Sequence, residues 1–141
     1  MSLFKIFDVA GSGMSAQSVR LNTVASNLAN ANSVTGDPAT VYKAREPVFA
    51  SVLNQAQGGG NGGDAAVGVR VAGIVEKDGK PIPKYEPGNP MADAKGYVYA
   101  PDISTAEEMA NMISASRSYQ NNVEVLNTSK TLLTRTLQLG Q

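Results

Sequence analysis

From Ser104 to Leu139 one apolar stripe runs with a seven-residue repeat, and nothing else in the sequence limits the possible folds so strongly. Met112, Tyr119, Leu126 and Leu133 make one series, and Met109, Ser116, Val123, Lys130 and Leu137 make a second, offset by three or four positions. This is the a/d pattern of a coiled-coil seam, with one series fully apolar and the other mixed. Ser104 followed by Glu107, with Glu108 beside it, forms a capping box with negative charge in the first turn, and Gly140 marks the stop. A helix of this extent is roughly 50 Å long, more than a compact domain of this size covers from one side. It needs partners.

The N-terminus repeats the pattern. Phe7, Met14, Leu21 and Leu28 recur at one heptad position, and Leu3, Ala10, Gln17, Val24 and Ala31 at the other. Gly11 and Gly13 interrupt this segment and each costs about 1 kcal/mol of helix stability against Ala, so the helix is expected to be frayed or jointed until something packs on it. Two readings of the stripes stand side by side: ordinary buried helix faces, or a coiled coil of the two chain ends. Asn27 and Asn30 lie one turn apart near the end of this helix. Each costs up to about 0.7 kcal/mol relative to Ala. The amides are therefore expected to bond to neighbouring backbone or to a partner helix and to hold its register, the alternative being that they are exposed and help end the helix.

Between the helices the sequence turns loop-like and β-like. Gly36, Asp37 and Pro38 end the first helix. The segment 42–53 (YKAREPVFASVL) reads equally as strand or short helix, with Pro47 weakening either. At 58–63 the run GGGNGG meets the GxGxxG pattern, but without a convincing strand before it or a capped helix after it, so it reads as a flexible loop. Val67, Val69, Val71 and Val75 alternate with polar or small residues as in a half-buried strand. Asp78-Gly79 then reads as a tight turn, returning the chain along a Pro81- and Pro83-containing edge strand or extended arm. Tyr97-Val98-Tyr99 is the one plausible strand in the Pro/Gly-punctuated stretch 85–102.

Composition excludes more than it suggests. With no Cys and no His, the chain lacks the thiolate nucleophile, the commonest metal ligand and the commonest general base. Each of Asp37, Asp64, Asp78, Asp93, Glu107 and Glu108 has a turn or helix-start explanation, and no pair is marked as an acid/base couple, so no enzyme activity and no cofactor or metal is expected. Twelve basic and twelve acidic residues cancel without a Lys/Arg cluster, which argues against nucleic acid. Lys5 and Asp8 break the N-terminal apolar run, so neither a cleaved secretory signal nor membrane insertion is expected. At 42% hydrophobic, 6% aromatic and no Trp, the core is expected to be lean.

The opening MSLFKIFDVAGSGMSAQSVRLNTVASNLANANS, above all its Ser26-Asn27-Leu28-Ala29-Asn30 block, resembles the N-terminal signature of bacterial flagellar rod and hook proteins. The stretches YEPGNPMADAKGYVYAPDI and ISASRSYQNNVEVLNTSKTLLTRTLQLG resemble those of the proximal rod in particular. The likeness spans nearly the whole chain and is weakest at 54–64; Asn89 departs from an expected His at a turn. It implies a structural subunit exported by the flagellar type III apparatus without a cleaved signal. It also implies a place in the periplasm-crossing drive shaft, where the subunit transmits motor torque. The implied partners are neighbouring copies, other rod proteins, the MS-ring/rod adaptor at the base and the export apparatus. A soluble coiled-coil adaptor or export chaperone is the competing reading.

The expected fold is α+β and mainly helical: a core helix in 1–33, a β-rich insert in 34–103 with its Gly-rich loop at 58–63, and a core helix in 104–141, the two helices pairing as a coiled coil. Assembly and packing are expected to fall on Phe7, Met14, Leu21, Val24, Asn27, Leu28 and Asn30 of the first helix, and on Met112, Tyr119, Val123, Leu126, Leu133 and Leu137 of the second.

Overall fold

The computed structural model describes residues 3–54 and 66–139. The Gly-rich run 58–63 therefore lies outside the described residues. A long helix at each end, α1 (Leu3–Asn30) and α2 (Thr105–Leu139), encloses strands β1 (Arg45–Asn54), β2 (Ala66–Glu76), β3 (Ile82–Tyr85) and β4 (Tyr97–Ala100). One 3-10 turn, Pro38–Thr40, is capped by the Asp37 carboxylate accepting from the Ala39 N–H at 2.8 Å.

The α1 helix runs unbroken through both glycines, as the sequence allowed once something packs on it. At Gly13 the reason is tertiary: a Cβ there would sit 2.9 Å from Nδ2 of Asn122, so the absent side chain lets α2 approach closely. Gly11 has nothing within 4 Å of its would-be Cβ. Three contacts set the helix pairing: Gly13 against Asn122, Arg20 donating to Asn111 Oδ1 at 3.1 Å, and Asn27 donating to Glu108 Oε2 at 3.0 Å. As the first number rises the second falls, so the helices are antiparallel. That register puts Leu3 opposite the turn 128–132 and leaves Leu137 past the end of α1, where it is 66% exposed. A strict seven-residue series also drifts about 20° per heptad around a straight helix. Met112, Leu126 and Leu133 stay half-buried and Tyr119 is 37% exposed, so the series runs along the margin of the helix contact, while among the described residues of α2 the buried positions are Ala115 and Ser129.

The cap of α2 is made as its sequence indicates, the Ser104 hydroxyl accepting from the Glu107 N–H at 3.3 Å. The insert differs from expectation in its pairing. Asp78-Gly79 does not fold the valine strand back on the proline segment; β2 pairs antiparallel with the preceding β1, and β3 with β4, giving two separate two-stranded sheets. Pro81 and Pro83 withhold donors from the 81–85 segment, whereas β1 offers a ten-residue ladder. The ambiguous segment 42–53 thus resolves largely as strand. Opposite Val48 and Phe49 the register slips by one residue, leaving Ala72 as a bulge. On the far side of β4, Thr35 and Tyr99 exchange a pair of backbone bonds of 3.0 and 2.8 Å, tying the chain after α1 to the second sheet.

The core is small. Among the described residues the buried hydrophobic side chains are Ala10, Ala16, Val24, Ala31, Val98, Ala100 and Ala115. Burying a methyl contributes about 0.8 kcal/mol, against 1.5–3 kcal/mol for a whole Leu or Phe. The larger apolar residues lie mostly at the periphery.

Candidate assembly surface

Among the described residues Asn27 has the most side-chain hydrogen bonds. It sits on α1 at 1% exposure, and its carboxamide makes four hydrogen bonds. Its Nδ2 donates to the Arg45 carbonyl at 2.9 Å and to Glu108 Oε2 at 3.0 Å, while Oδ1 accepts from the Arg45 N–H at 2.9 Å and from the Tyr42 hydroxyl at 3.0 Å. Two donors and two acceptor lone pairs are thus fully used, as a buried amide requires. The two bonds to Arg45 are those a neighbouring strand residue would make. Burial raises the pKa of Tyr42 above its ordinary value; Arg45 opposes this and Glu108 and Glu76 add to it, so the hydroxyl stays a donor at neutral pH. The Arg45 guanidinium lies 5.8 Å from the centre of the Tyr42 ring.

A second polar contact holds the other end of the β1–β2 hairpin. Ser12 Oγ donates to the Val9 carbonyl at 2.8 Å and accepts from the Val69 N–H at 3.1 Å. The buried Gly68 allows this, since a Cβ there would lie 3.2 Å from the same oxygen. Ion pairs Lys43–Asp78, Arg45–Glu76 and Lys77–Glu46 at 3.5, 3.5 and 3.7 Å brace the base of the hairpin, but all are exposed and contribute little.

The candidate residues divide by burial. Val24 and Asn27 are buried; Phe7, Met14, Leu21, Leu28, Asn30, Met112, Val123, Leu126 and Leu133 are half-buried; Tyr119 and Leu137 are exposed. The two asparagines part company: Asn30 donates to the Ser26 carbonyl at 2.8 Å, a bond within its own helix, and its carbonyl receives the Ser33 N–H and hydroxyl where α1 ends. Sequence reading missed Ser12, Tyr42, Arg45 and Glu108 as partners. Glu108 carried a signal, but only as helix-start charge, and no local pattern points from Asn27 to a strand eighteen residues on.

Around this framework, among the described residues, large apolar groups face outward. On α2 they are Met109 and Ile113 on one flank and Val125 and Leu132 on the other, 45–55% exposed. On the hairpin Phe49, Val67, Val69 and Ile74 lie exposed, and register places them on one face. On the second sheet Tyr85 and Tyr97 pack with ring centres 5.2 Å apart and planes tilted by 59°, and remain open to solvent. Among the described residues no group of three Asp or Glu side chains could hold a metal, and no helix is long and apolar enough to cross a membrane. Long helices with small residues at their contact and large ones outside make a surface for packing rather than a site for chemistry.

Comparison with known proteins agrees with that division. Residues 7–36 match the flagella basal body rod protein family, and residues 94–139 match the C-terminal region described for flagellar basal body rod FlgEFG proteins. The chain is thus of the flagellar rod class, matched over α1 with the turn after it and over β4 with α2. Full-length relatives narrow this further. The chain is 53% identical to the flagellar basal-body rod proteins FlgC of Escherichia coli O157:H7 and Yersinia enterocolitica, and 35% identical to that of Bacillus subtilis, each alignment covering 100% of both chains. It belongs to the FlgC family of flagellar basal-body rod proteins: a structural subunit of the rod, and not an enzyme.

Proposed function

We propose that the chain is a subunit of the proximal rod, built into a periplasm-crossing shaft through its terminal helices and carrying motor torque along them. The observation that supports this is the inversion of side-chain size: alanines fill the core while Val125, Leu132, Met109 and Ile113 stand exposed along α2. A subunit that completes its burial only among neighbours needs that arrangement. Residues 1–33 and 104–141 then form the inner, coiled-coil layer and 34–103 the part packed outside it. Neighbouring copies, other rod proteins and the MS-ring/rod adaptor are its contacts, and the flagellar type III apparatus exports it without a cleaved signal.

Leu132→Asp tests the reading, because Leu132 is 53% exposed and the substitution leaves the lone chain's own core untouched. A charge forced into an assembled apolar contact costs several kcal/mol unless paired. The variant is expected to be exported at parental levels and to melt like the parent, yet to yield no rods in basal-body preparations. Parental numbers of basal bodies would overturn the proposal.

A further inference from the structure

Strand edges carry unpaired N–H and C=O groups, and several of them are closed by a specific device. In an antiparallel pair, successive residues point their backbone groups alternately toward the partner and away from it. Lys77 N–H donates to the Ala44 carbonyl at 2.7 Å, so residue 44 faces inward and Arg45 outward, where Asn27 takes both its groups. Following β1, Pro47 is the next outward residue and has no N–H to offer. Across the ladder, outward Val69 gives its N–H to Ser12. In the second sheet the Glu86 N–H bonds to the Gly96 carbonyl at 2.9 Å, which turns Tyr85 and Pro83 outward on β3; outward Tyr99 on β4 is closed by Thr35.

Among the described residues, β2 keeps an open edge at Val71, Ile74 and Glu76, and β1 and β3 each keep a shorter one. On β1, Phe49 and Ser51 point N–H and C=O away from β2 with no partner among the described residues of another element. On β3, the open groups are both backbone groups of Tyr85 and the Pro83 carbonyl. There is room beside β1: a cleft of about 430 Å³ runs along its edge, lined by Pro47, Phe49, Arg20, Asn111, Glu107 and Glu108. The charges are complementary. Among the described residues, Glu107 and Glu108 have no cationic ion-pair partner, and β3, exposed at all four residues, is flanked by Lys80 and carries Lys84, neither of which has an anionic one there.

We propose that the β1 edge at Phe49–Ser51 accepts the β3 edge of a neighbouring copy, extending the hairpin into a sheet shared between subunits with the lysines of β3 beside Glu107 and Glu108. The proposal rests on the rod-subunit reading, and the rod favours this occupant. A contact between two unlike edges is heterologous and propagates along an open filament, whereas β1 against β1 of a second copy would close as a dimer.

Ser51→Pro is the discriminating variant, because it removes an N–H that the β1–β2 ladder does not use, as Pro47 already does four residues earlier. With the variant as the only copy in the cell, basal bodies are expected to fall at least tenfold while export continues. Ser51→Ala, which keeps the N–H, is expected to assemble like the parent; if Ser51→Ala also fails, the side chain and not the edge is at work and the proposal is wrong. Because the chain has no Cys, a second arm is clean. Cells co-expressing Ser51→Cys and Tyr85→Cys chains are expected to give a disulfide between the two in isolated basal bodies. Parental assembly by Ser51→Pro, a disulfide joining two Ser51→Cys chains, capture of a different protein, or no cross-link at all would each overturn it.

Discussion

Replacing Asn27 by Leu sets local helix preference directly against tertiary hydrogen bonding. In an isolated helix the change is favourable by up to about 0.7 kcal/mol, because Asn is a mediocre helix former and Leu a good one. In the folded chain it strands the N–H and C=O of Arg45, both bonded to the amide at 2.9 Å, and releases Tyr42 and Glu108. Tyr42 and Glu108 are half-buried and can turn to water, so the loss falls mainly on the Arg45 peptide. Each of the two stranded groups costs about 1–3 kcal/mol, so after the helix gain the net loss is about 1–5 kcal/mol. By the relation of about 1.4 kcal/mol per factor of ten, exchange of the Arg45 amide should quicken roughly tenfold or more. The assays are urea unfolding of the purified chain, hydrogen exchange at Arg45, and circular dichroism of a peptide spanning 3–30, whose helicity is expected to hold or rise. Rod assembly should fall with the loss of the α1–β1–α2 junction. An unchanged unfolding midpoint together with parental protection at Arg45 would refute the reasoning.

The two helix glycines should respond differently to alanine. Gly11→Ala meets nothing within 4 Å and is expected to stabilise the lone chain by about 0.5–1 kcal/mol, whereas Gly13→Ala must displace the Asn122 amide and should gain less or lose, as thermal melting of the pair will show. Asp93 accepts from the Tyr97 and Lys95 N–H groups at 2.8 Å and from the Tyr99 hydroxyl at 3.4 Å, and the Tyr97 bond leads the causes that hold its pKa below the ordinary carboxylate value. A depressed folded pKa means its contribution is present above the unfolded pKa and lost as pH falls through the folded one. The Lys95 and Tyr97 amides should therefore lose protection in acid, and Asp93→Asn, which keeps an acceptor oxygen, should remove that dependence. Deleting Gly59–Gly62 should leave assembly intact, since loop closure changes by only about 0.6 kcal/mol per doubling of length; loss of rods with export preserved would contradict the linker reading.

The helices were legible in the sequence because their signals are local. Heptad spacing, the Ser104–Glu107 cap and the break at Gly36-Asp37-Pro38 each act within a turn or two, and both helices lie where those signals put them. The Tyr97–Tyr99 strand and the reading of Asn27 as an amide in need of partners belong with them. Strand pairing was decided elsewhere. Asp78-Gly79 is a sound hairpin signal, yet β2 turns to β1, because which strand can pair over the greater length is a property of the whole ladder and not of the turn. The valine alternation marked a strand but not which of its positions would lie buried: Gly68 packs against Ser12 while Val67 and Val69 stay exposed. The Asn27 junction draws on residues as distant as Glu108, which only the packing of α2 along α1 brings within reach. By itself the sequence determined the helices, the Ser104 cap of α2 and the shortage of large core residues. Tertiary structure alone decided the antiparallel register, the strand partners and the contacts of each amide, because those depend on distances between segments that no local spacing encodes.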